Sequence, residues 1–286
     1  MLTRRRSAGT AVAAVSARFG RDVELCLEQV AAIVRSARSR GAELVVFPES
    51  TLGGYVYEPA VAGALVSVAP PPALTRGYVL ERLAHIAGPT VICVGYTEAA
   101  PGGPYSSAIC LNGDGILGHH RKVHVPPGER AAFAAGDGFE AFDTPVGRMG
   151  MLVCYDKVFP EAARRLTLDG AEIIASLAAW PVCRLRPSNR VRRDREVQHF
   201  NLLDQARAVE NQVVWISANQ CGRLGRLRFP GQAKVVCPDG RILASTGSRS
   251  GLALARIDAR DAVRGARLEL SHLADRRPPA YATAIA

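Results

Sequence analysis

The chain has 286 residues, mean hydropathy +0.05, 48% hydrophobic and 22% charged residues, a balance that excludes a mostly disordered polymer. No apolar run approaches the ~20 residues of a membrane span, and the length suffices for a single α/β domain over residues 1–286 with a large core. The net charge is +10, yet the basic residues are scattered and lack the one-face clustering and interleaved aromatics of a nucleic-acid surface.

Of 36 cationic residues only Lys122, Lys157 and Lys234 are lysines. Seven cysteines (26, 93, 110, 154, 183, 221 and 237) form an odd set with no C-x-x-C pair. That spacing opposes a disulfide framework or zinc ribbon and fits a reducing, cytoplasmic setting. His119, His120 and His124 lie close together but match no metal-binding spacing, so they read as satisfied or exposed side chains.

Arg4-Arg5-Arg6 and the small residues after them mimic a leader peptide. The apolar part is thin, however, and a first core strand over 10–16 is the better reading. Residues 23–40 carry Leu25, Val30, Ile33, Val34 and Ala37 at helical spacing, stopped by Gly41. Leu44-Val45-Val46-Phe47 is a buried strand ending at Pro48; a helix follows over 74–87 and a strand over 91–96. Asn112-Gly113-Asp114-Gly115 joins strands 107–111 and 116–118 as a hairpin. A strand over 148–153 ends at Cys154, and Pro160 opens a helix over 160–168. Next come a strand 173–177, a helix 194–210 and a strand 213–218. A hairpin 233–237/242–244 turns on Pro238-Asp239-Gly240, and a last strand covers 252–257. The tail from about 265 to 286 is too polar for core and suits a surface or subunit interface. Strand–helix alternation mixed with hairpins predicts an α/β layered fold with a mixed sheet. Functional side chains in such sheets gather at strand ends.

Three polar residues stand at such ends. Glu49 follows strand 44–47, where partial burial favours a general base. Lys122 follows the 107–118 hairpin and offers a compact positive charge for a developing oxyanion. Cys154 sits at a strand-to-turn corner, where a thiol and the next backbone N–H are presented together. No G-x-S-x-G, P-loop or dinucleotide fingerprint competes.

The segments Phe47-Pro48-Glu49, Arg121-Lys122-Val123-His124-Val125-Pro126 and Cys154-Tyr155-Asp156-Lys157-Val158-Phe159-Pro160-Glu161 occur in this order. Between and after them come Gly128-Glu129-Arg130, Ala206-Arg207-Ala208-Val209-Glu210-Asn211-Gln212 and Ala218-Asn219-Gln220. Together they resemble the nitrilase (carbon–nitrogen hydrolase) superfamily over nearly the whole chain. The resemblance implies a four-layer αββα sandwich with mixed β-sheets that dimerises to αββααββα. It also implies a catalytic group Glu49, Lys122 and Cys154 with no metal or organic cofactor, and Glu129 as a second glutamate that positions substrate or lysine.

Cys-Tyr-Asp followed by Phe-Pro-Glu is more similar to amidases and N-carbamoyl amide hydrolases than to true nitrilases, which look like Cys-Trp-Glu at this point. The implied activity is cleavage of a non-peptide C–N bond in a small amide or N-carbamoyl compound through a Cys thioester. The alternatives are nitrile hydrolysis, acyl transfer to an amine, or a non-catalytic interaction protein on the same fold. Tyr55, Tyr155, Phe159 and Trp180 are the expected substrate-binding residues, since aromatics shape small-molecule sites. Lys157 is expected to point to solvent, Glu58 and Arg184 stay undecided, and the Arg184–Arg195 stretch reads as a solvated loop or subunit contact.

Overall fold

A computed structural model of the chain describes residues 9–55 and 71–281. The arginine-rich start and Glu58 lie outside them. Two six-stranded mixed sheets form the centre. The first runs β6 (Gly115–Arg121), β5 (Gly103–Asn112), β4 (Val91–Ala100), β2 (Leu44–Val46), β1 (Thr10–Ala17) and β14 (Gly251–Ile257). The second runs β7 (Phe142–Thr144), β8 (Gly147–Val153), β9 (Ile173–Ala178), β10 (Val214–Leu224), β12 (Lys234–Val236) and β13 (Ile242–Ser245). Among the described residues they are joined where β1 meets β10, through the pairs Ser16–Asn219 and Ala17–Gln220. Short strands β3 (Ala73–Leu74) and β11 (Leu227–Pro230) add to β4 and β10.

The period-two alternation of side chains sorts the core into layers. Val12, Ala14, Leu44 and Val46 pack with Met151, Val153, Ala175 and Ile216 between the two sheets. Their neighbours Ala13, Val15, Val45 and Phe47 face helices α1 (Val23–Ser39) and α2 (Arg76–Ala87). Leu152, Ile174 and Trp215 face α3 (Pro160–Leu168) and α4 (Arg195–Asn211). The result is the expected αββα sandwich. β1 is so rich in alanine and valine because both of its faces are buried.

The elements follow the sequence reading with shifted ends. In α1 the Asp22 carboxylate caps the Leu25 N–H at 3.1 Å. The buried stripe is Cys26, Leu27, Val30, Val34 and Ala37. Leu25, expected on that stripe, is 61% exposed because it falls about a quarter-turn off it. The predicted hairpin is β5–β6, and it is preceded by one that was not expected, in which nine β4–β5 pairs run out to Ala100–Gly103. The sequence reading missed β7 and β11, too short for periodicity to register. It also missed the helix α5 (Ala259–Ala266), which buries only Ala259 and Val263 and is otherwise polar. A short helix α6 (Pro278–Tyr281) closes the described chain.

Candidate active site

β2, β6, β8 and β9 all end at one side of the sandwich, and each delivers one part of the site. Past β2 the chain turns at Pro48-Glu49-Ser50, with Ser50 at φ +53°. Gly95 on β4 makes this corner possible: a Cβ there would sit 2.7 Å from Glu49 Cα and the Pro48 carbonyl oxygen. Past β6, the Lys122 N–H donates to the Ser106 carbonyl and its own carbonyl accepts from Gly136 N–H, both at 2.8 Å. Gly136 is held to glycine by the Arg121 carbonyl oxygen, 2.3 Å from where a Cβ would stand. β8 runs into a 3₁₀ turn over Cys154–Val158, and Cys154 opens it at φ +51°. A non-glycine residue in that left-handed region costs on the order of 1–3 kcal/mol and persists only where its surroundings fix it.

Asp156 supplies that fixation. It is fully buried and accepts from Val153 N–H at 3.1 Å and His124 N–H at 2.9 Å. His120 Nε2 and His124 Nδ1 each lie 2.9 Å from its carboxylate. The lysine-bearing end of β6 and the cysteine-bearing turn are thereby tied to one carboxylate. These contacts hold Asp156 well below the usual carboxylate range although burial pulls the other way. The histidines are satisfied side chains, as read from the sequence; His119 Nε2 lies 3.2 Å from the Glu98 carboxylate.

Lys122 is fully buried, and its Nζ donates to Glu49 Oε1 at 2.8 Å and Glu129 Oε2 at 2.7 Å. Burial alone would depress this ammonium, but Glu129 and Glu49 more than offset it and hold it above its ordinary value. Glu49 also accepts from Ser106 Oγ at 3.1 Å and from Ala179 N–H at 3.0 Å. The same Ala179 N–H is within reach of the Cys154 sulfur. The Tyr55 hydroxyl donates to Glu129 Oε1. Burial and the Glu49 carboxylate push the Cys154 thiol well above its ordinary value, against the opposing pull of Lys122. At neutral pH the sulfur therefore carries its proton and needs a base on attack.

Cys154, Glu129, Tyr55, Tyr155 and Trp180 line one cavity of about 300 Å³. Three of the four expected aromatics thus stand on its wall. Phe159 does not: it stacks on His124 with ring centroids 3.7 Å apart and caps α3. The Arg184–Arg195 stretch is largely exposed, as expected of a solvated loop, and it also bounds the site: Arg184, Leu185 and Arg195 form the outer edge of this cavity with buried Cys183 inside it. Buried Asp194 staples the stretch down by accepting from Cys183 N–H at 2.9 Å and Ser188 N–H at 3.0 Å while capping α4.

Lys157 also departs from expectation. It is fully buried and donates to Asp204 Oδ1 at 2.8 Å instead of reaching solvent. Sequence reasoning likewise missed the pegs beneath the site. Asn219 accepts from Trp180 N–H at 2.8 Å and donates to the Gly231 carbonyl at 2.8 Å. Gln220 accepts from Phe19 N–H at 3.0 Å and donates to the Glu49 carbonyl at 3.1 Å. Their signal was two adjacent amides at the end of an apolar strand.

A four-layer α/β sandwich with a thiol beside a buried carboxylate–ammonium pair is the architecture of an enzyme acting at carbonyl-like carbon. The family model for carbon-nitrogen hydrolases matches residues 11–267, and the chain belongs to that family. A "Hydrolase in pqqF 5'region" from Pseudomonas protegens is 33% identical over 84% of this chain and 80% of its own length. The N-carbamoylputrescine amidase of Arabidopsis thaliana is 30% identical, covering 87% and 86% of the two chains. Among solved structures, an amidase variant from Nesterenkonia sp. AN1 superposes with a TM-score of 0.76 at 25% identity, over 95% of this chain and 98% of its own. It carries the product of Michael addition of acrylamide at its active-site cysteine. The protein is a carbon–nitrogen hydrolase of the nitrilase superfamily. Among the described residues, no helix is long and apolar enough to cross a membrane.

Proposed function

We propose that the protein hydrolyses the C–N bond of a small amide or N-carbamoyl compound through a Cys154 thioester. The carrying observation is the buried Lys122 ammonium bonded to both Glu49 and Glu129 at the cavity that Cys154 lines. Cys154 sulfur attacks the carbonyl carbon while its proton passes to Glu49. Lys122 and the Tyr155 N–H stabilise the oxygen as it becomes negative. Glu49 returns the proton to the leaving nitrogen, the C–N bond breaks, and ammonia or amine departs. Glu49 then takes a proton from water, whose oxygen bonds the carbonyl carbon. The C–S bond breaks and the sulfur regains a proton. Glu129 holds Lys122 from the far side, with Tyr55 fixing Glu129. No cofactor takes part in these steps.

Tyr55, Tyr155 and Trp180 supply the walls for a small substrate, and 300 Å³ suits one. The carbamoyl alternative draws support from the plant relative's printed activity. A homodimer in a reducing, cytoplasmic setting completes the reading, supported by the family resemblance and by seven unbridged cysteines. An ammonia-release screen over ω-amides, N-carbamoyl compounds and nitriles tests it. Turnover of an amide or carbamoyl compound that disappears in Cys154→Ala is the expected result. Turnover of nitriles alone, or activity retained in Cys154→Ala, refutes it.

A further inference from the structure

A second buried charge cluster lies directly behind the cavity. Lys157 on the Cys154 turn and Lys234 on β12 both donate to Asp204 on α4, at 2.8 and 2.5 Å. The Trp215 indole N–H donates to the same carboxylate at 2.9 Å. All three ionisable groups are 0–1% exposed. Both ammoniums stand against one aromatic ring: Lys157 Nζ is 3.2 Å and Lys234 Nζ 4.2 Å from the Phe200 ring centroid. Lys157 Nζ is also 5.2 Å from the centre of Trp180, a cavity wall. The remaining charged neighbour, Arg207 on α4, donates to the carbonyls of Lys157 and Val158 and pairs with Glu210 at 2.8 Å.

Two ammoniums against one carboxylate leave one uncompensated positive charge. Burying such a cluster is expensive, and an apolar filling is often as stable or more so. The excess charge sits in the low-dielectric wall shared with the reactive thiol, three residues from it on the same 3₁₀ turn. We propose that Lys157, with Asp204 and Lys234, is a positioning residue of the reaction: it holds the Cys154 turn against α4 and biases Cys154 toward giving up its proton. The ammoniums interact with the aromatic faces of Phe200 and Trp180, which replace the solvation they have lost.

The proposal rests on Cys154 being the nucleophile, and the test separates the two. Alkylation of Cys154 by iodoacetamide, followed by peptide mass across about pH 6 to 10, reports how readily the thiol gives up its proton. In Lys157→Met the alkylation rate at a given pH in this range should fall about tenfold. Lys234→Met, off the turn, should lower the rate the same way by less. A folded Lys157→Met with an unchanged rate overturns the proposal, and if that variant does not fold, an unchanged Lys234→Met does so. Activity surviving in Cys154→Ala would instead remove the nucleophile itself.

Discussion

Two buried clusters in this molecule are charge inverses of each other. At the cavity, one ammonium, Lys122, sits between two carboxylates, Glu49 and Glu129. Behind it, one carboxylate, Asp204, sits between two ammoniums, Lys157 and Lys234. Every member is 0–1% exposed, yet Glu129 of the first cluster lines the cavity and no member of the second does. The difference separates chemistry from support. A surplus carboxylate beside an opening can take and return a proton, whereas a surplus ammonium sealed in the wall can act only through its field and its bonds.

The largest expected contrast comes from the cavity cluster. Cys154→Ala should keep its fold and lose more than about 10³ of its turnover, checked by ammonia release and thermal melting. Lys122→Met should lose activity and also stability, by about 3–5 kcal/mol, because two buried carboxylates then face each other unpaired. Chemical denaturation reads that cost, and a loss below about 1 kcal/mol would mean that Lys122 is not what neutralises them.

Tyr55→Phe should be milder, lowering kcat/KM about tenfold as Glu129 loses a donor. The smallest effect separates the clusters most sharply. Lys157→Met leaves the matched pair Asp204–Lys234, so its melting temperature at pH 7 should equal or exceed that of the parent. Burial pushes the Lys157 ammonium down to about 8, with Lys234 adding to the fall and Asp204 resisting it. Between there and its ordinary value the unfolded chain binds more protons, so this group's contribution to stability improves as pH rises. Any advantage of Lys157→Met should therefore be largest below pH 8 and shrink above it.

How much was legible in the sequence differs between the same two clusters. Glu49, Lys122 and Cys154 each end a recognisable strand, and the order of their motifs identified them together. Asp204 stands 47 residues from Lys157 and 30 from Lys234, so nothing local linked them. One signal was available. In a chain that otherwise uses arginine, the only three lysines are all buried. A guanidinium presents five donors that a dry site shared with one or two carboxylates cannot satisfy, and the compact ammonium presents three. Rarity of lysine was thus a burial signal, and placing Lys157 in solvent ignored it. Phe159 failed for another reason. Its place in the motif suggested the pocket, but the 3₁₀ turn carries it round to His124. The central strands were readable as short apolar runs because both of their faces are buried, while their layering came from the family resemblance; α5 was not readable, because its apolar face is two residues wide.

The most direct measurement is the intact mass of the parent enzyme, acid-quenched within its first turnovers of an amide. The quench stops thioester hydrolysis, so the acyl group should be caught on the protein. A mass increase equal to that group, mapped to Cys154, is the predicted result. Ammonia release with no adduct, or an adduct on any of the other six cysteines, would contradict the account.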